Sequence, residues 1–189
     1  MFRRRAEPPP PVLDPVAALD RAAVPHRLLP LVDEAVASYR RWGDVTARVA
    51  AGPLADRLGM LGDQVRDGVL ELHAATVRVG EAEHVLAALD PDGATAAFKA
   101  AKRRSAEGDD PPELEALEAR FASVQRMLNL VADADEQLRV LDARLLASVA
   151  RGAELALLSD AQGLTAVGDD LDDVLVELGA LRSALLDLS

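Results

Sequence analysis

From residue 164 to the C-terminus, Leu164, Val167, Leu171, Val174, Leu178, Leu181, Leu185 and Leu188 follow one another in alternating steps of three and four. That spacing averages 3.5 residues and lines all eight along one side of an α-helix, as the a/d seam of a heptad repeat. A strand, with its period of two, would divide them between two faces. An apolar seam sustained over three heptads has to be covered by another helix, from this chain or from a second one, and the pattern fits both. Leu164, Val167, Leu171, Val174, Leu178, Leu181 and Leu185 are therefore the expected contact residues, with the flanking charges selecting the partner.

The same period recurs upstream. Leu28, Leu31, Ala35, Tyr39, Trp42, Val45 and Val49 form one stripe, and Leu54 to Leu89 form a second after the break at Gly52-Pro53. Gly59, Gly62, Gly68 and Gly80 fall inside that second stripe and are expected to mark close helix contacts or bends. Asp90-Pro91-Asp92-Gly93 reads as a turn, with a shorter helix from Ala94. Asp110 reads as an N-cap with Pro111 and Pro112 in the next first turn. In the long stripe that follows, Asp135 occupies a position due to an apolar residue, so the seam should drift or open there. Ala and Leu supply 67 of the 189 residues and there is no Ile, which favours helix over strand. The expected fold is all-α, an elongated antiparallel helical bundle or coiled-coil hairpin with long amphipathic helices at about 27–51, 53–89, 94–107, 111–158 and 164–188. A single bundle domain, 14–189, should follow a disordered Pro-rich tail, 1–13, with a short helix fitting between Pro15 and Val24.

Charge and composition remove several classes of function. A net charge of -11 and five scattered aromatic residues leave neither a basic face nor a stacking platform for nucleic acid. The absence of Cys excludes disulfides, thiolate metal sites and cysteine nucleophiles. The basic start Arg3-Arg4-Arg5 runs into Pro8 to Pro11 rather than into an apolar signal core, and no stretch of ~18 residues is free of charge. The expectation is a cytoplasmic protein with no transmembrane segment.

Candidate sites are sparse. His73 and His84 share a helical face but stand about 16 Å apart along it, too far for one metal ion. Glu81-x-x-His84 has the spacing of a di-iron carboxylate bundle, but no second copy of the motif occurs. Asp169, Asp170, Asp172 and Asp173 cluster near the start of the last stripe, where acids complement the helix dipole or offer a face to a basic partner. Lys99, Lys102, Arg103 and Arg104 form the one basic patch of the body. It reads as a solvated face, able also to meet anionic lipid or the acidic C-terminal region. No nucleophile elbow, phosphate loop or dinucleotide fingerprint is present. The expectation is no catalytic residue, no metal and no cofactor.

The leading reading is a non-enzymatic scaffold, adaptor or regulator that acts through helix–helix contacts with a protein partner or by self-association as a homo-oligomer. The alternative rests on chain length, alanine-rich extended helices and acidic balance, which resemble the phage-shock/ESCRT-III type of membrane remodeller. That resemblance implies a peripheral, membrane-associated protein.

Overall fold

The structure is a computed structural model that describes residues 14–109, 111–158, 160 and 162–186. The Pro-rich tail, the capping role of Asp110 and the seam residue Leu188 lie outside the described residues. Five α-helices form: α1 (Leu29–Thr46), α2 (Pro53–Ala88), α3 (Pro91–Ala106), α4 (Leu114–Leu158) and α5 (Gly163–Leu186). No strand occurs among the described residues, and none of their helices is long and apolar enough to cross a membrane.

Most boundaries fall within a few residues of the apolar stripes, and the departures have local causes. α1 ends at Thr46, five residues before the helix was expected to stop. Two 3-10 turns, Pro15–Ala18 and Arg21–Ala23, replace the single short helix expected there; Asp14 and Asp20 cap them by accepting from Val16 N and Ala22 N. α3 begins at Pro91 rather than Ala94. Asp90 takes a left-handed conformation (φ 50°) and its carboxylate accepts from Gly93 N, while Pro91 fits the first helical position, so the residues read as a turn form the helix start instead. At the other connection, the Asp160 side chain accepts from Gln162 N and Gly163 N to cap α5.

α2 and α4 form the central antiparallel pair, about 54 and 68 Å long at ~1.5 Å per residue. Their direction follows from contacts such as Gly68 with Leu145 and Leu86 with Val124. α1 packs against both from one side and α5 packs against both from the other. Arg27 meets Glu83 while Trp42 meets Gly62, so α1 runs against α2. Gln64 meets Asp172 and Glu71 meets Arg182, so α5 runs with α2. The four stripes converge on one core that contains Leu28, Leu58, Leu72, Leu138, Leu164 and Leu178, each fully buried.

Trp42 stands where α1, α2 and α4 converge. A Cβ added to Gly62 would lie 2.9 Å from Trp42 Nε1, and one added to Gly152 would lie 2.7 Å from Trp42 Cζ3 and 3.3 Å from Val167. The indole is 3 % exposed and its N–H finds no acceptor. Two glycines thus admit a side chain whose polar atom is left unsatisfied, a cost of about 1–3 kcal/mol that the packing has to offset. α2 continues unbroken through Gly59, Gly62, Gly68 and Gly80, so the close contact at Gly62, not a bend, answers the expectation at that position.

Asp135 also has a local explanation. The seam passes through Val131, Ala134 and Leu138, all buried, and Asp135 lies beside it to accept from Arg27 at 2.7 Å and Arg139 at 2.8 Å. Arg27, just before α1, is thereby tied to both α2 and α4. The segment ahead of it lies along α2, where Val16 and Val24 are buried and His73 Nε2 sits 2.9 Å from the Asp20 carbonyl.

The bundle tapers. Beyond the start of α1 and the end of α5, the first turns of α4 have only the end of α2 and the short α3 for cover. This tip holds a small second cluster, Leu86, Ala94 and Val124 with Met127, and a Phe98–Phe121 stack with ring centroids 4.8 Å apart. Leu128, in the stripe, is accordingly left 36 % exposed.

Trp42→Ala should cost about 3–5 kcal/mol in a urea titration. Gly152→Ala should cost about 1–3 kcal/mol by overpacking against the indole. Gly59→Ala, which enters open space on the exposed side of α2, should instead stabilise by about 0.5–1 kcal/mol. In hydrogen exchange monitored by mass spectrometry, α3 and residues 114–127 should lose protection well before the middle of α2 and α4; uniform protection along α4 would contradict this tapered packing.

Candidate functional site

The C-terminal seam is occupied from within the chain. Leu164, Val167, Leu171, Val174, Leu178, Leu181 and Leu185 are between 0 and 7 % exposed, and α5 packs its length on α2 and α4. These residues fix the position of α5, and their side chains face inward.

The other singled-out residues are dispersed. His84 is exposed, and His73 is half-buried against the Asp20 carbonyl. Glu81 pairs with Arg78, one turn back on its own helix. Among the described residues no group of three or more His, Asp or Glu is arranged to hold a metal ion. Asp169, Asp170, Asp172 and Asp173 lie on the exposed side of α5, where Asp172 accepts from Gln64 Nε2 at 2.6 Å. In the basic patch, Arg104 pairs with Glu113 across the α3–α4 hairpin, and Lys102 Nζ lies 5.7 Å from the Phe98 ring centre. No carboxylate among the described residues, those of α5 included, pairs with Lys99, Lys102 or Arg103. Glu177 is held instead by Arg144 at 2.6 Å.

What the structure adds is a groove. Between α4 and α5, on the side turned away from α2, lies an open trough of about 740 Å³. Leu141 and Leu181 form its floor, with Leu130 and the small Ala134, Ala180 and Ala184 beside them. Asp133, Glu136 and Glu177 stand along its edges, and Val140, 53 % exposed, forms an apolar lip. Small residues let a further helix approach closely, and the acids stand where the flanks of that helix would fall. Leu181 is the one seam residue that also lines the trough. The sequence holds a faint signal of it in Val140, a large apolar residue off the seam and mostly exposed.

One buried group stands apart from this surface. Asp142 of α4 is 6 % exposed, and its Oδ1 has no hydrogen-bond partner. Burial, and secondarily the like charge of Glu34 on α1, raise its carboxyl to about 6. Because the folded value lies above the unfolded one of 3.8, its contribution to stability is fully present below that value and is lost as pH rises through about 6. Asp142→Asn should therefore stabilise the protein by about 1–3 kcal/mol at pH 7 and leave it nearly unchanged at pH 3.5. Urea midpoints of the two proteins across pH 3.5–7.5 check this; a constant difference would refute it.

Comparison with protein-family models, with curated proteins and with solved structures finds no match to this chain.

Proposed function

We propose that the chain is a non-enzymatic helical interaction protein of the cytoplasm, a scaffold, adaptor or regulator that offers the α4–α5 groove to a further helix. The observation that carries this reading is the groove itself: an apolar, alanine-lined trough with acidic edges on the outside of a bundle whose core is already filled. Catalytic pockets concentrate a few convergent polar groups in an enclosed cleft. Here the polar groups stand apart along open edges, a layout suited to the flanks of an amphipathic helix. The seam residues serve this function indirectly, because burying Leu171, Val174 and Leu178 against α2 and α4 is what turns Ala180 and Ala184 outward.

A photo-crosslinking amino acid placed at Ala180 and, as control, at the exposed Ala119 tests the reading in the native cell. Discrete protein adducts should form from position 180 and not from position 119. No adduct from 180, with the protein folded and abundant, would sink the proposal.

A further inference from the structure

We propose that the occupant of the α4–α5 groove is α3 of a second copy of this chain, so that copies associate head to tail. This rests on the reading of the groove as a helix-docking surface and identifies what docks there. α3 is the one helix with net positive charge, +3, from Lys99, Lys102, Arg103 and Arg104 against Asp92, whereas α5 carries -4. Lys99, Lys102 and Arg103 project from one exposed face and meet no carboxylate among the described residues; neither do Asp133 and Glu136 at the groove edge meet a cation. Each surface thus carries, unpaired, the charge that the other lacks.

Shape agrees with charge. The exposed face of α3 carries Ala96, Ala100 and Ala106 between its bases, and the groove presents Ala134, Ala180 and Ala184. Two small-residue faces permit close helix approach. The groove follows α4 from Leu130 to Leu141, about 17 Å, and α3 is about 24 Å long. Within one molecule the contact is closed off, because the Phe98–Phe121 stack and the Ala94–Val124 cluster hold α3 against the first turns of α4. A membrane is the weaker occupant for α3. Its exposed face has no large apolar side chain to insert, and three bases near an anionic surface bind it only weakly and are readily screened by salt. Since the two surfaces differ, the contact is heterologous and repeats from copy to copy.

Light scattering across a concentration series is the test, on wild type and on two charge-reversed variants checked for helicity by circular dichroism. Wild type should rise severalfold above the monomer mass at low salt and return to it near 1 M, where the Debye length falls to about 3 Å. Lys99→Glu/Lys102→Glu/Arg103→Glu carries acid on both surfaces, and Asp133→Lys/Glu136→Lys carries base on both. Each alone should stay monomeric, and an equimolar mixture should assemble. A wild type that remains monomeric at low salt, or a mixture that does not assemble, overturns the proposal. So does retained assembly of the groove variant when the α3 variant has lost it, and so does wild type that binds phosphatidylserine vesicles without self-associating. If position 180 crosslinks to a different protein while wild type stays monomeric, the interaction reading survives and only the second-copy assignment falls.

Discussion

The indole of Trp42 sets the spacing on which the bundle depends. Three helices converge on it, and the two that carry glycine there, at Gly62 and Gly152, do so because any Cβ would overlap the ring. Its seat against Gly62 and Gly152 fixes how deep α1, which carries it, sits in the α2–α4 trough. Through Val167, which meets the same point on Gly152, it also bears on where α5 begins. Once this point is set, the antiparallel registers follow along both long helices, because a helix pinned at one place and lined with a continuous stripe has little freedom to slide. Arg27 supplies the second fixed point, bridging Glu83 and Asp135 at the opposite end of α1.

Much of this architecture is legible in the residues, for a physical reason. Long stripes such as Leu171–Val174–Leu178 repeat one simple requirement, burial on one face, and many residues vote on it together. Helix starts rest on one or two residues and are read less well. Asp90-Pro91 satisfies the chemistry of a turn and of a helix cap equally, and only the docking of α3 on α4 selects the cap. Asp135 looked like a flaw in the seam because its partner, Arg27, lies more than a hundred positions away in sequence. The groove was least legible of all. It is made by the outward sides of α4 and α5, whose residues show no periodicity of their own, and no further helix among the described residues covers them.

Asp142 runs against the rule the other core positions obey. An ionised carboxylate with an unpartnered oxygen, facing a second acid across α1, opposes the packing that places it there. With Ser38 of α1 and Ser148 of α4 it makes up three of the four buried polar residues among those described, so α1 and α4 carry most of the polarity of the core. The α1–α4 contact is therefore where protonation of this carboxyl is felt.

The distribution of stability along the rod bears on what its surfaces can do. The groove lies on the wall of the fully packed section, where Leu141, Leu178 and Leu181 anchor both helices, so its shape is set before anything binds. α3 lies on the tapered tip, held by one small cluster, the Arg104–Glu113 ion pair and one aromatic stack worth about 0.5–1.5 kcal/mol beyond its area. A rigid acceptor and a loosely held donor differ in the cost of association: the acceptor has nothing to reorganise, while the donor gives up local opening that it would otherwise sample. Docking of α3 would therefore also order the tip that carries it. Contact at the tip of a copy would stabilise its donor helix, while the acceptor, midway along α4, would keep the same shape. An assembly built this way would grow without strain accumulating from copy to copy, limited by charge and concentration rather than by deformation of the bundle.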